Sequence, residues 1–536
     1  MDTIKQIKQK HNQSFAAVSF IGKKGMCAQP GALMLRSSDF IEYCKHLREN
    51  NECTFYLNAR KKNGLPTVQA LQTTDNLQVT GPHTSEHILS QCTNAGLCPY
   101  EVSLELARKA KVIIMDYNYL FNPKIRDVFL AKIGKSLEDG VVIIDEGHNL
   151  PERIRDANTA KINSFILQRA LKEAKKYELE DVLQYIVELQ EVLNQLSGEI
   201  EESLISKEEF TRLVEEIMPY DQLIKALEAA ALLVREQQKQ SSLATIADFL
   251  TVWVSGEEGY VRILRVDKQV ELSFRCLDPS ACTKEVIDAA HSTIIMSGTL
   301  TPTHMFHDLL GFDDDASQNE FPSPFPQQNK LALIVPRTTT KYSKRDERQY
   351  QQIAKIIASI TDLIPGCSAV FFPSYALLKD VNEFFVSKKT IIQEAPGMTK
   401  QDKQECLDKL VSYKEQGAVL FGVAAGSFGE GVDLPGVLKC VIVVGLPLDR
   451  PTLEVKELIK YYDMKFGKGW EYGYTLPALT RTLQNAGRCI RSEKDRGVLI
   501  FLDERYAYPQ YSRCFPADWH AKITLDYENQ IKEFFS

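Results

Sequence analysis

Short apolar runs, rich in β-branched residues, recur along the chain at 111–115, 141–144, 293–296, 369–372, 418–421, 441–444 and 498–502. Runs of this length and composition predict buried strands. Polar or helix-forming segments separate most of them, which predicts βα units and an α/β fold with largely parallel sheets. The runs fall into two groups, before residue 300 and after residue 365. Between them stands Phe321-Pro322-Ser323-Pro324-Phe325-Pro326. Its prolines can extend neither a helix nor a central strand, so the stretch reads as the connection between two α/β lobes.

Two stretches break the alternation. Residues 13–98 are rich in glycine, cysteine and polar turns and show little periodicity. Residues 156–261 read as helical. Val182, Ile186, Leu189, Leu193 and Leu196 form one apolar stripe among Glu, Lys and Gln, as expected of a packed helical hairpin. The position of this block between two predicted strands of one lobe marks it as an insertion.

The 536 residues suggest two to four domains. A hydrophobic content of 44% and a charged content of 25% describe a globular protein. No apolar run reaches membrane-spanning length, and the polar start Met1-Asp2-Thr3-Ile4-Lys5 is unlike a signal peptide. The expectation is a cytoplasmic location without a membrane partner. The net charge of −7 supplies no global field for nucleic acid, so any such contact needs local basic patches or a channel. Of the twelve cysteines, Cys27, Cys44, Cys53, Cys92 and Cys98 cluster near the start. In a reducing compartment this points to metal rather than disulfides.

Three segments carry candidate chemistry. The run 141–144 delivers Asp145, Glu146, Gly147 and His148 to a strand end, where open α/β sheets bind ligands. In a nucleotide-hydrolysing motor Asp145 would hold Mg²⁺ through water, and Glu146 would orient and deprotonate the attacking water. In Gly426-Ser427-Phe428-Gly429-Glu430-Gly431-Val432-Asp433, glycines let the backbone approach a ligand closely. There Glu430 and Asp433 could orient arginines or a ribose. In Gln484-Asn485-Ala486-Gly487-Arg488-Cys489-Ile490-Arg491, the spacing puts Arg488 and Arg491 on one helix face. Beside Gln484 they suit γ-phosphate contact as arginine fingers. The strand 293–296 ends in Ser297-Gly298-Thr299, hydroxyls that could couple a nucleotide site to a neighbouring surface.

Taken in order with Phe371-Phe372-Pro373-Ser374-Tyr375, these motifs resemble a superfamily 2 helicase of the XPD/Rad3 branch, related to the DinG and FANCJ-like helicases. Matching segments include Asp116-Tyr117-Asn118-Tyr119, Arg275-Cys276-Leu277-Asp278-Pro279, Ser323-Pro324-Phe325-Pro326 and Asp503-Glu504-Arg505-Tyr506. Gly147 replaces the alanine of the usual Asp-Glu-Ala-His. The resemblance runs over essentially the whole chain. It implies two RecA-like lobes with parallel sheets, an inserted iron–sulfur domain and an inserted helical arch. The boundaries it suggests are 1–12 (remnant of the first lobe), 13–98 (iron–sulfur domain), 99–155 (first lobe), 156–261 (arch), 262–315 (first lobe, continued) and 316–536 (second lobe).

The resemblance also implies ATP, Mg²⁺ and a 4Fe-4S cluster as cofactors, with Cys27, Cys44, Cys53 and Cys98 as cluster ligands and Gly429, Glu430, Gly431 and Asp433 at the nucleotide. Four thiolates suit such a cluster chemically. The spacing alone leaves open zinc with His46, His83 or His87, structural cysteines without metal, and Cys92 in place of Cys98. The Pro99-Tyr100 that follows Cys98 matches the family, and Lys23 stands where the family carries a basic residue. The implied function is an ATP-dependent DNA helicase translocating 5′→3′ on single-stranded or forked DNA. It would be a monomer, acting with DNA-repair proteins near the nucleoid of a prokaryote or in a nucleus.

The sequence contains no Gly-x-x-x-x-Gly-Lys-Ser/Thr, the P-loop that cradles the β- and γ-phosphates. Gly134-Lys135-Ser136 lacks the first glycine and is expected in a loop. The expectation is that the opening strand, P-loop and first helix of the first lobe are missing, through truncation or real loss. Apolar surface would then be left uncovered, and the chain as given would not hydrolyse ATP. The alternative function is a non-catalytic single-stranded-DNA-binding iron–sulfur protein. A metal-stabilised scaffold binding only protein draws no support from the hydrolysis motifs.

Overall fold

The computed structural model describes residues 1–11, 15–35, 37–198, 201–237, 241–256, 258–429, 434–448 and 451–536. The chain forms two compact units, one of residues 1–143 and 150–294 and the other of residues 144–149 and 295–536.

In the first unit, Ala17–Ser19 pairs in parallel with Val112–Ile114, Ala17 opposite Val112. The segment expected to show little regular structure is largely helical: Ser37–Glu49, Thr54–Ala59, Val68–Thr80 and Ser85–Asn94, followed by Pro99–Lys109. The signal was weak because the helices Thr54–Ala59, Val68–Thr80 and Ser85–Asn94 bury few side chains. Val68–Thr80 buries only Ala70, Thr74 and Leu77. Thr67 and Thr84 cap two of them by accepting from the amides of Ala70 and His87. Phe20, Tyr100, Tyr119 and Phe129 form the aromatic centre of this region's core.

The insertion contains helices Ser164–Lys176, Glu180–Leu196, Lys207–Glu215, Tyr220–Gln237 and Ser242–Trp253. The expected stripe is buried at Val182, Ile186, Leu189 and Leu193. The sequence reading missed an antiparallel sheet in the order Ala160–Asn163, Val270–Cys276, Tyr260–Val266, Glu202–Leu204. Its hairpin was disguised by Arg262. That side chain is buried, stacks 4.7 Å from the centre of the Phe274 ring and donates to the Trp253 carbonyl at 2.8 Å. An arginine satisfied in this way occupies a core position that patterning assigns to an apolar residue. Strands Val141–Ile144 and Ser292–Ile295 pair with each other.

The second unit is built on a seven-stranded sheet in the order Thr390–Gln393, Ala418–Val423, Cys367–Phe372, Leu438–Val444, Gly497–Leu502, Lys330–Ile334, Lys522–Ile523. All neighbours run parallel. Cys367–Phe372, Ala418–Val423 and Gly497–Leu502 are buried at every position, as parallel strands covered on both faces require. Three strands, Lys330–Ile334 and the two edge strands Thr390–Gln393 and Lys522–Ile523, were not among the predicted runs. Residues 321–326 carry no helix or strand. Among the described residues no helix is long and apolar enough to cross a membrane.

Candidate nucleotide site and cysteine pocket

Strand Val141–Ile144 leads directly into Asp145 and Glu146, and both carboxylates stand exposed. Glu146 has a φ of 49°, a conformation rare outside glycine. Its amide donates to Asp145 Oδ1 at 2.9 Å. This tight turn brings Gly147 against Ile295, whose side chain occupies the space a Cβ on Gly147 would need. Glycine in place of the family's alanine is therefore a steric requirement of this chain. The turn also fixes His148. Its Nδ1 lies 2.6 Å from the Ser297 hydroxyl and 3.1 Å from that of Thr299, and the Ser297 hydroxyl donates to Glu146 Oε2 at 3.3 Å. His148 is thus held by two hydroxyls and a carboxylate.

The arginines differ from expectation. Helix Leu476–Ala486 ends before them, Gly487–Cys489 forms a 3-10 turn, and Ile490 is extended. Arg488 and Arg491 therefore do not share a helix face. Arg488 is buried and donates to the Gly429 carbonyl, whereas Arg491 is exposed and its amide donates to Asp495 Oδ2 at 2.9 Å. Gln484 is half-buried on the last turn of the helix, and Asn485 donates to the Ala424 carbonyl at 3.2 Å.

Gly426 and Gly429 have a steric role within the protein. A Cβ on Gly429 would collide with the Ala424 carbonyl, and one on Gly426 with the carboxylate of Glu394. They let the backbone approach the protein itself. Glu430, Gly431 and Asp433, expected at the nucleotide, lie outside the described residues. Glu394 was not foreseen. It stands between recognised motifs, and a lone glutamate after a short edge strand carries no sequence signal.

In the first unit, Cys27, Cys44, Cys53 and Cys98 line one pocket together with Lys23, Tyr43, Arg48, Tyr56 and Glu101. Each comes from a different element. Cys27 follows the turn at Lys23–Met26, and Cys44 lies within helix Ser37–Glu49. Cys53 and Cys98 are the N-cap residues of Thr54–Ala59 and Pro99–Lys109, and burial pushes the Cys98 thiol well above its ordinary range. Burial pushes the Cys27 thiol up, and the Lys23 ammonium pulls against it. Gln29 donates to Cys53 Sγ at 3.4 Å. Behind the pocket Glu101 is held by Arg60 at 2.7 Å, and the same guanidinium reaches Glu105 at 2.6 Å.

Cys92 is absent from this pocket. It packs fully buried among Val102, Leu97 and Ile88, and burial pushes its thiol up to about 12. Neither His46, His83 nor His87 lines the pocket. Among the described residues no three His, Cys, Asp or Glu side chains converge as the ligands of a single metal ion.

Two protein-family models match the chain, DEAD_2 over residues 1–167 and the helicase C-terminal domain over residues 357–522. The XPD/RAD3 helicase subunit of general transcription and DNA repair factor IIH from Saccharomyces cerevisiae is 21% identical over 605 residues, covering 93% of this chain and 76% of the yeast protein. The ATP-dependent DNA helicase CHL1 of Yarrowia lipolytica is 22% identical over 590 residues, covering 94% of this chain and 71% of its own. A solved XPD helicase superposes with a TM-score of 0.66 at 18% identity, over 98% of this chain and 88% of that one. The structure of S. tokodaii Xpd4 gives 0.59 at 19% identity, over 91% and 100%. These structures speak for the fold.

Proposed function

Since the chain belongs to the XPD/Rad3-like helicases, we propose that it acts on single-stranded or forked DNA, as a 5′→3′ translocating helicase in DNA repair. The observation that carries this reading is the network at His148. It links Glu146, which follows Asp145, to the Ser297 and Thr299 hydroxyls. Asp145 would hold Mg²⁺ and Glu146 would take a proton from the attacking water. Gln484 and Arg488, with the exposed Arg491, would meet the nucleotide phosphates, and the loop through Gly429, Glu430, Gly431 and Asp433 would border them. DNA-repair proteins are the partners this role implies, in the nucleoid region or a nucleus.

The four pocket cysteines fit a 4Fe-4S cluster. A lone zinc holds its thiolates about 2.3 Å from one centre, and no three potential ligands converge in that way among the described residues. A cubic cluster takes one thiolate at each of four irons and so tolerates wider separation. When bound, the cluster would tie four elements together and supply a one-electron centre. Lys23, 5.2 Å from the centre of the Tyr100 ring, and Glu101, held by Arg60, would set the charge around it.

ATP turnover needs a phosphate cradle that the sequence does not contain. Gly134-Lys135-Ser136 is not a substitute, because Gly134 closes helix Pro123–Ile133 in a left-handed conformation with φ 61°. On the second reading, a non-catalytic single-stranded-DNA-binding iron–sulfur protein, the chain would bind DNA without hydrolysing ATP. The test is fluorescence anisotropy with a labelled oligothymidine over a salt series, alongside an ATPase assay with and without DNA. Binding should weaken as salt rises, since phosphate contacts release counterions, and on the non-catalytic reading phosphate release should stay at background. Absent or salt-insensitive binding would remove both DNA readings, and DNA-stimulated turnover would remove the non-catalytic one.

A further inference from the structure

Glu394 follows the edge strand Thr390–Gln393 and is 1% exposed. A buried carboxylate is costly unless its oxygens are hydrogen-bonded, and here they are. The Tyr375 hydroxyl and the Ser427 amide donate to Oε1 at 2.8 and 2.5 Å, and the Val423 amide donates to Oε2 at 2.8 Å. No cation pairs with it among the described residues. Two backbone amides and a phenol carry the charge instead.

The positions of those amides matter. Val423 is the last residue of strand Ala418–Val423, and Ser427 lies in the turn beyond it. One carboxylate therefore brackets residues 424–426 and sets the direction in which the chain leaves the sheet. Gly426 has no room for a side chain because Glu394 fills that space, and at Gly422 a Cβ would stand 3.1 Å from Oε2. The carbonyls of the same loop are held from its other side. Asn485 donates to Ala424 and Arg488 to Gly429. The loop is thus clamped through its amides by Glu394 and through its carbonyls by the segment that carries Arg488.

We propose that Glu394 is a positioning residue, which shapes the 424–429 loop and through it fixes where the Arg488 guanidinium stands. That this placement serves a nucleotide phosphate rests on the function proposed above. Tyr375 is tied to the same carboxylate, so the end of strand Cys367–Phe372, the edge strand and the glycine-rich loop meet at one charge.

The test compares Glu394→Gln and Tyr375→Phe with the wild-type chain. Glutamine keeps the shape but turns a donor toward one of the two amides, whereas phenylalanine leaves both amide bonds intact. Three measurements are made: hydrogen exchange of peptides spanning 423–429, phenylglyoxal modification of Arg488 read by mass spectrometry, and affinity for a fluorescent ATP analogue with Mg²⁺. With Glu394→Gln, exchange across 423–429 should accelerate on the order of tenfold, as expected for losing one buried charged hydrogen bond. Arg488 should become reactive while peptides elsewhere keep their protection. With Tyr375→Phe, Arg488 should stay unreactive even where the melting temperature falls as far as in the glutamine variant. If Glu394→Gln leaves both the loop exchange and Arg488 unchanged, the proposal is overturned. If the loop opens and Arg488 reacts but the wild-type chain binds no nucleotide, the positioning role stands and the nucleotide reading fails.

Discussion

His148 Nδ1 lies 2.6 Å from the Ser297 hydroxyl, joining two sequence motifs that are 149 residues apart. The same hydroxyl donates to Glu146, so Ser297 is the hub of the group. Ser297→Ala should cost about 0.5–1.5 kcal/mol. Its coupling to His148→Ala in a double-mutant cycle by urea unfolding should exceed about 0.5 kcal/mol. Simple additivity of the two substitutions would mean that the contact does not operate in solution.

Gly147→Ala should destabilise the protein by about 1–3 kcal/mol, because the new methyl meets the side chain of Ile295. The double variant with Ile295→Ala should recover part of that loss, since it vacates the colliding atoms. Thermal melts of the three variants distinguish steric conflict from a backbone effect, which Ile295→Ala could not repair.

Replacing Cys27, Cys44, Cys53 or Cys98 by serine should each abolish bound iron and acid-labile sulfide in protein purified without oxygen. Cys92→Ser should retain both while losing about 1–3 kcal/mol of stability, from a hydroxyl placed in a dry core. Iron retained by Cys98→Ser and lost by Cys92→Ser would reverse the ligand assignment.

The two arginines should separate in denaturant. Arg488→Ala removes a buried cation and leaves the Gly429 carbonyl without its donor, at a cost of about 1–3 kcal/mol. Arg491→Ala acts at an exposed side chain and should stay within about 0.5 kcal/mol. Equal effects would contradict their different burial.

Alkaline unfolding should be steep. Burial and the hydrogen bond to Glu394 push the Tyr375 hydroxyl up to about 12, and burial with Asp116 nearby does the same to Tyr119. Tyr472 and Tyr506 are raised further, mainly by burial. In the unfolded chain these groups ionise near pH 10. The folded state therefore holds protons that the unfolded state has released. Their stabilisation is complete below about pH 10 and is lost as pH climbs toward about 12. A stability curve that stays flat across that interval would show that these hydroxyls are not buried in solution.

The fully buried strands of the seven-stranded sheet were legible because parallel strands covered on both faces leave near-continuous apolar runs. Every predicted run coincides with a strand. The Asp145–His148 turn was legible as chemistry, and the cysteine set as a group, but for different reasons. The first stands at a strand end by local pattern alone, whereas the second needed the family to choose Cys98 over Cys92. What escaped the sequence was tertiary. Arg262 hides a hairpin because two rings and two carbonyls satisfy a charge inside a core. Arg488 and Arg491 keep helical spacing, yet the helix has already ended at Ala486. Glu394 carries no motif, since its partners are backbone amides whose donors look alike in any sequence.

One feature of the first unit reaches beyond any single site. Ile114, Val141, Ile143 and Ile294 stand 41, 54, 61 and 49% exposed on the short strands of two two-stranded sheets. Strands with open edges and a bare apolar face are templates for further pairing. Copies that paired along such strands would do so by mass action, and the concentration at which the protein is handled would then become a structural variable.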